Sequence, residues 1–209
     1  MTVLYHYWRS SASYRVRIAL AHFGVEWRSV SVNLLDGGQR SAEHLARNPQ
    51  GLVPVLEIDG LTLTQSLAII EYLDETRGGG LLPADAAGRA RVRALAHAVA
   101  MDIHPICNSG VARHAVDASG GAIKTENWMR HFIAHGLTAI EAMLIGPQTG
   151  KFCHGDQFGL ADICLAPQVY NARRWEVDLG TMPTITRIDA DLADLPVIKA
   201  AHPDTWQPA

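Results

Sequence analysis

Apolar and polar positions alternate in two different ways along this chain, and the change falls near residue 80. Before it, runs of period two alternate with stripes of helical period, in the order β-α-β-α-β-β-α. The dipeptide Asp59-Gly60 separates two apolar runs and predicts a tight antiparallel hairpin. The predicted strands are 2–7, 27–33, 51–58 and 61–63. The first predicted helix follows the serines and has its apolar stripe at 16–23, and the other predicted helices are 41–47, 67–73, 91–103, 125–144, 160–174, 185–193 and 197–201.

These patterns predict an α/β domain followed by an all-α domain. The first domain has a mixed four-stranded sheet with helices on its faces, and the second has helices alone. Three consecutive glycines at 78–80 and the pair Leu82-Pro83 interrupt the pattern and indicate a linker. We therefore place the first domain at residues 1–82 and the second at residues 88–209.

Two strand-to-helix junctions in the first domain carry candidate chemistry. Ser10, Ser11 and Ser13 stand at the first junction, and Gln65 and Ser66 stand at the second, where Ser66 has the N-cap position. The free N–H groups and the positive dipole end of a helix N-terminus favour an anion. The structural alternative is that these hydroxyls only cap their helices. The sequence alone leaves both interpretations open.

Composition and charge narrow the possible partners. The chain has 209 residues and 48% apolar content, which is enough for packed cores, and its net charge of −3 gives no drive toward nucleic acid or membrane surfaces. Neither a bilayer-spanning run nor a secretion signal is evident, so we expect a cytoplasmic protein. Cys107, Cys153 and Cys164 form no CxxC motif and predict free, packed thiols. His131 and His135 have metal-ligand spacing without a third ligand, so we predict solvent-facing side chains and no metal.

The segment from Arg9 to Leu20 resembles the signature of zeta-class glutathione transferases. That family implies a thioredoxin-like N-terminal domain with a cis-proline at Pro54, an all-helical C-terminal domain and a homodimer. It also implies glutathione as cofactor and small carboxylate substrates. Further matching motifs are Asn48-Pro49, Ser66–Leu73, Leu82-Pro83, Asn171–Trp175 and Val177–Leu179.

The resemblance implies which residues contact glutathione and which activate its thiol. Ser11 is our first candidate to stabilise the thiolate, Ser10 is the second, and Ser13 is equally consistent with a capping role. Lowering a thiol pKa by about two units requires roughly 2.7 kcal/mol. One hydroxyl bond to a charge supplies about 1.5–3 kcal/mol, and a helix N-terminus about 0.3–1 kcal/mol. The implied glutathione contacts are Ser10, Ser11, Ser13, Arg15, Gln39, Val53, Pro54, Gln65, Ser66, His104 and Asn108.

Two arginines are candidates for the substrate's carboxylates, because a guanidinium binds carboxylates through two parallel hydrogen bonds. Arg9 precedes the serines and completes the predicted catalytic set with Ser10 and Ser11, and Arg174 lies in the second domain. Both arginines are alternatively surface ion-pair partners. For Arg15, bridging to the second domain or solvent is the alternative, and for His104 it is an ordinary structural role.

Two positions depart from the family pattern. Ala12 stands where the zeta class commonly has cysteine, which excludes a protein thiol there, and Gly159 stands where Ser or Thr usually caps a helix. The resemblance implies glutathione-dependent cis–trans isomerisation of maleylpyruvate or maleylacetoacetate to the fumaryl isomer in aromatic degradation. Two alternatives remain. One is a glutathione transferase or dehalogenase acting on small α-halo acids, and the other is a non-catalytic glutathione-binding scaffold.

Overall fold

The computed structural model describes residues 1–208 and contains two compact units. Met1–Gly79 form the first unit together with residues 195–208, and Gly80–Asp194 form the second. Among the described helices, none combines the length and apolar character that crossing a bilayer requires. In chain order the helices are α1 Ser11–His22, α2 Ala42–Arg47, α3 Ser66–Thr76, α4 Ala86–His97, α5 His104–Ile106, α6 Ser109–Ala118, α7 Thr125–Leu144, α8 Leu160–Arg174, α9 Pro183–Ala193 and α10 Pro196–Ala201.

The first unit contains the predicted four-stranded mixed sheet, in the order β2-β1-β3-β4. Strand β1 runs parallel to β2 and antiparallel to β3, which forms a hairpin with β4. Asp59 and Gly60 have φ angles of 54° and 80°, and the tight hairpin turn requires these positive values at both central positions. The hairpin prediction is confirmed. The strands are β1 Val3–His6, β2 Arg28–Ser31, β3 Val55–Ile58 and β4 Leu61–Thr64.

Residues 195–208 pack within the first unit, whereas the prediction assigned all of 88–209 to the second domain. Helix α10 lies against α1, and the Tyr14 hydroxyl donates to the Ile198 carbonyl at 3.5 Å. After α10, a short 3₁₀ turn carries Trp206, whose ring stacks on Trp27 with a centroid distance of 4.5 Å. These aromatic contacts bind the final segment to the sheet domain, and no periodicity in the sequence reports such a tertiary contact.

The second unit is helical, as predicted, and α7 shows why. Met129, Ile133, Leu137, Ile140 and Leu144 are all nearly inaccessible and recur every three or four residues, so they form one buried face of α7. The predicted bounds 125–144 and 160–174 match α7 and α8.

The predicted helix 91–103 is wrong in detail. Helix α4 begins earlier, and its continuation Ala98–Ile103 winds as a π-helix before the short α5. At its end the His104 N–H donates to the Val99 carbonyl, five residues back. Pro105 follows at once and has no N–H of its own, so the regular ladder cannot resume through it. Such π-helical turns occur frequently at functional sites.

Gly159 is required by a close approach of two backbone segments. A Cβ atom at this position would lie 2.8 Å from the Leu81 carbonyl oxygen, which accepts the Leu160 N–H at 3.0 Å. The buried Asp162 side chain takes over part of the capping, because it accepts the Gly159 N–H at 2.9 Å and the Cys153 N–H at 2.9 Å. A serine or threonine at this position would therefore force the Leu81 segment to shift.

The three cysteines are free. Cys153 and Cys164 are buried, as predicted. Cys107 is half-buried, and burial raises the pKa of its thiol to about 11. It is therefore a protonated thiol at neutral pH.

Candidate functional site

The serine junction at the start of α1 divides its three hydroxyls between different tasks. Ser10 has extended backbone geometry and its hydroxyl accepts the Ser13 N–H at 3.2 Å, so Ser10 is the N-cap. Ser13 is fully buried, and its hydroxyl accepts the Tyr7 N–H at 3.5 Å. The interpretation of Ser13 as the cap is wrong. Ser13 holds the preceding turn from inside the fold, and its burial does not support a contact with glutathione.

Ser11 is the hydroxyl left for a ligand. It is the first residue of α1, and within residues 1–208 its hydroxyl has no hydrogen-bond partner. The first turn of α1 contains no acidic residue, so no side chain of that turn offsets the positive end of the helix. A hydroxyl with a proton to donate thus stands at an N-terminus that favours an anion.

Arg9 is held beside this junction with part of its donor capacity unused. Its Nη2 donates to the Tyr7 hydroxyl at 3.3 Å, and its guanidinium carbon lies 4.7 Å from the centroid of the Trp8 ring. Its Nε is buried without a hydrogen-bond partner among the described residues. A buried donor of this kind carries a desolvation cost that a bound carboxylate would remove.

The second junction is built on a strained residue. Helix α3 starts at Ser66, and Gln65 occupies the N-cap position with φ 66° and ψ 113°, so the expected N-cap at Ser66 is wrong. A non-glycine residue in this region costs on the order of 1–3 kcal/mol, and such residues cluster at ligand-binding positions. Gln65 Nε2 donates to Gln50 Oε1 at 2.8 Å instead of capping the helix. No acidic residue lies in the first turn of α3 either.

Arg15 connects the two junctions. Its Nη1 donates to the Ser66 hydroxyl at 3.0 Å, and the two residues are only 2% and 6% exposed. The alternative of a solvent-facing Arg15 is therefore wrong. Its Nη1 therefore acts on Ser66 at the start of α3.

The segment before β3 contributes backbone groups. The peptide bond between Val53 and Pro54 is cis, as the resemblance implied. Neither backbone hydrogen-bonding group of Val53 has a partner in the part of the chain that the structure describes. Gln39 lies on the 3₁₀ turn Gly38–Arg40, and its Oε1 is buried without a partner in that same part. A Cβ at Gly51 would lie 3.1 Å from the Gln39 carbonyl oxygen, so the Gln39 turn packs on the segment leading to Val53.

The three candidates in the second unit have different settings. His104 opens α5 directly after the π-helical turn. Asn108 is the N-cap of α6, and its side-chain oxygen accepts the Gly110 N–H at 2.8 Å, so only its Nδ2 remains for a ligand. Arg174 is exposed, and its guanidinium lies 4.7 Å from the centroid of the Trp175 ring. On α7, His131 and His135 are exposed, as predicted.

Two residues in this region were not singled out by the sequence. Tyr7 supplies the hydroxyl that holds Arg9, and Gln50 supplies the oxygen that holds Gln65. Tyr7 was visible only as a strand aromatic, and Gln50 follows Asn48-Pro49 in a loop without a motif of its own. Both act through side-chain contacts that residue spacing does not encode.

Comparisons with known proteins agree with this arrangement. Residues 2–75 match the family model for the glutathione S-transferase N-terminal domain. The maleylacetoacetate isomerase of Rhizobium meliloti (strain 1021) is 61% identical over 209 residues, covering 99% of this chain and 98% of that protein.

Solved structures give the same answer. The holo structure of a maleylpyruvate isomerase, described as a bacterial glutathione S-transferase in the zeta class, matches with a TM-score of 0.94 and 41% identity, covering 99% of this chain and 98% of that one. The maleylacetoacetate isomerase of Anaeromyxobacter dehalogenans 2CP-1, with glutathione bound in its active site, matches with a TM-score of 0.88 and 46% identity over 100% of this chain and 97% of that one. This chain therefore belongs to the zeta class of the glutathione transferase family.

Proposed function

We propose that this protein is a glutathione-dependent isomerase that converts maleylacetoacetate or maleylpyruvate to the fumaryl isomer in aromatic catabolism. The observation that carries the proposal is the Ser11 hydroxyl, which has no partner within the described residues and stands at a helix N-terminus without acidic residues. The identity of 61% to a maleylacetoacetate isomerase over nearly the full chain supports the same activity.

The first unit offers polar groups that fit a tripeptide with two carboxylates. The first N–H groups of α3, after Gln65, suit the γ-glutamyl carboxylate, because α3 has no side-chain cap. The free backbone groups of Val53, beside Pro54, suit the peptide portion. The buried Gln39 amide suits the glycyl end, since its oxygen and nitrogen positions are interchangeable by a flip.

Thiol activation falls to Ser11 and the start of α1. Bound glutathione supplies a thiolate that can add to an activated cis double bond and leave again, so it is regenerated rather than consumed. The chain keeps that sulfur ionised through the Ser11 hydroxyl, worth about 1.5–3 kcal/mol toward a charged partner, and through the helix end, worth about 0.3–1 kcal/mol. Ser10 already accepts the Ser13 N–H, and its own proton makes it the second candidate.

The substrate's carboxylates require cationic groups. Arg9 is the stronger candidate, because its Nε is a buried donor without a partner in the described residues and Tyr7 holds its guanidinium. Arg174 is the second candidate, with the Trp175 ring supporting its side chain. His104 and the Nδ2 of Asn108 are candidate polar contacts.

The assay that tests this function follows the ultraviolet absorbance of maleylacetoacetate and, separately, of maleylpyruvate with purified protein. Each substrate is measured with glutathione and without it. We expect glutathione-dependent formation of a fumaryl product from at least one substrate, with no net loss of glutathione. Stoichiometric consumption of glutathione would instead indicate conjugation. Absence of turnover with both substrates, despite calorimetric glutathione binding, would refute the isomerase.

We also propose that the protein is a cytoplasmic homodimer. The resemblance supports the dimer, and the free state of all three cysteines is consistent with a reducing compartment. Light scattering behind gel filtration is expected to give a mass near twice that of one 22.7 kDa chain. A mass equal to that of one chain across a range of concentrations would contradict the dimer.

A further inference from the structure

Helix α1 carries a second buried arginine, Arg17, that the proposed chemistry leaves without a role. Only 1% of it is exposed, and its guanidinium donates in three directions. Nε bonds to the Ala201 carbonyl at 2.9 Å, and Nη2 bonds to the Trp8 carbonyl at 3.0 Å. Nη1 lies 3.2 Å from His6 Nδ1. A guanidinium only donates, so His6 Nδ1 accepts and its Nε2–H points to the Ser29 hydroxyl at 2.8 Å.

One of these three bonds acts directly on the candidate site. Trp8 is the residue before Arg9, within a turn closed by a bond from the Ser10 N–H to the Tyr7 carbonyl at 3.0 Å. The Trp8 carbonyl belongs to the peptide plane that leads into Arg9. By holding that oxygen, Arg17 fixes the orientation of this plane and therefore the direction in which the Arg9 backbone leaves it.

A second bond gives this turn an anchor outside its own sequence neighbourhood. Ala201 is the last residue of α10, where unpaired carbonyls concentrate negative potential and favour a cation. The final segment is held again by the Tyr14 hydroxyl bond to Ile198 and by the stack of Trp206 on Trp27. The Arg17 guanidinium thus connects the turn before α1 to helix α10, which other contacts hold in place.

We infer that Arg17 is a positioning residue that fixes the turn Tyr7–Ser10 on α10, and that this sets Arg9 and Ser11 for glutathione and substrate. The inference rests on the proposed function. A lysine at this position keeps the positive charge but cannot donate along three directions of a planar fork. The geometry of the guanidinium, and not its charge alone, is therefore what the turn depends on.

The test compares Arg17→Lys and Arg17→Met with a control, Tyr14→Phe. The control removes one bond between α1 and α10 and leaves the Trp8 carbonyl contact intact. For each variant, the pKa of the bound glutathione thiol is measured by titrating its thiolate absorbance in the absence of substrate. The kcat and the KM for glutathione are then measured with the maleyl substrate, and thermal unfolding is recorded alongside.

We expect both Arg17 variants to raise the pKa of the bound thiol and to lower kcat/KM by about tenfold to 100-fold, as small misplacements of catalytic groups do. Tyr14→Phe is expected to lower the unfolding temperature with the thiol pKa unchanged. The inference is overturned if Arg17→Lys folds and retains the wild-type thiol pKa, whatever its stability. Because that titration uses glutathione alone, failure of isomerase turnover in the wild-type protein is a separate result. If Arg17→Met does not fold, the lysine variant decides.

Discussion

Single hydroxyl groups at the start of α1 have roles that their sequence order does not reveal. The three serines are chemically alike but have different roles. Ser10 caps the helix, Ser11 has no hydrogen-bond partner among the described residues, and Ser13 is buried beneath the turn. Which serine caps depends on the residue where the helix begins, and a shift of one position exchanges their tasks. The sequence ranked Ser11 before Ser10 for the thiolate and left Ser13 as a possible cap, whereas the structure gives the capping role to Ser10.

Replacing Ser11 with alanine tests the thiolate role. We expect the loss of about 1.5–3 kcal/mol of anion stabilisation, which raises the pKa of bound glutathione by about one to two units. Titration of the thiolate absorbance in the binary complex measures this shift. Ser10→Ala serves as the matched control, because losing the cap costs about 1 kcal/mol of stability in denaturant melts. If Ser10→Ala raised the pKa of the bound thiol more than Ser11→Ala does, Ser10 and not Ser11 would be the residue that stabilises the thiolate.

Replacing His6 with asparagine tests the buried imidazole. Burial first, and then the nearby Arg17 cation, lowers the pKa of His6 from 6.5 to about 3. Below pH 6.5 the His6 side chain therefore binds a proton in the unfolded chain but not in the folded protein. The free energy of unfolding consequently falls as the pH drops from about 6.5 toward 3. The slope from this group approaches about 1.4 kcal/mol for each pH unit.

Urea melts between pH 7 and pH 4 measure this effect. The wild-type protein is expected to lose stability more steeply than His6→Asn, whose side-chain oxygen can still accept from Arg17. Parallel slopes for the two proteins would show that His6 already titrates normally in the folded state.

Helices show where local rules suffice and where they fail. The apolar stripe of α7 gave its bounds, because burial of one helix face is written in the spacing of its residues. The glycine before α8 could not be explained from local sequence, because the need for glycine at position 159 comes from the Leu81 carbonyl, far away in sequence. The π-helical turn after α4 likewise followed no spacing rule, although Pro105 marked its place.

Replacing Gly159 with serine tests the close backbone approach at this position. Capping preference predicts a gain in the free energy of unfolding, whereas packing predicts a loss. Preference alone predicts a gain of a few tenths of a kcal/mol. A Cβ 2.8 Å from the Leu81 carbonyl oxygen predicts a loss of about 1–3 kcal/mol. Chemical denaturation of Gly159→Ser decides between them.

The control is Lys124→Ser. Lys124 is exposed at the N-cap of α7 and makes no capping bond there. A serine in that open position should stabilise the protein by about 0.5–1 kcal/mol. Equal stabilisation of both variants would rule out the close backbone approach at Gly159.

Across the chain as a unit, composition and pattern predicted both fold classes and the order of elements in the first 80 residues, but they did not predict α6 and they misplaced residues 195–208. The assignment at 88–209 followed the run of helical patterns, and a pattern does not state which neighbour a short helix packs on. Tyr14, Trp27 and Trp206 settle that question by contacts across more than 170 positions of the sequence.

Removing the Trp206 ring tests this assignment. Trp206→Ala loses the stack on Trp27 and an edge contact with His6, and we expect a stability loss of about 1–3 kcal/mol. Hydrogen exchange locates the damage. Amides of β1 and α1 should lose protection, while those of α7 keep theirs. Loss of protection in α7 alone would show that the final segment packs on the second unit and not on the first.

The return of the chain to its first unit after Asp194 makes that unit discontinuous, with Gly80–Asp194 inserted within it. During synthesis, the inserted helical unit is complete while the sheet unit still lacks α10 and the Trp206 turn. The carbonyl of Ala201, which accepts from Arg17, is therefore translated only after the whole inserted unit. The unit that is translated first is therefore completed after the unit inserted into it, and a nascent chain released between Asp194 and Ala201 would contain all residues of the helical unit but lack the carbonyl that accepts from Arg17.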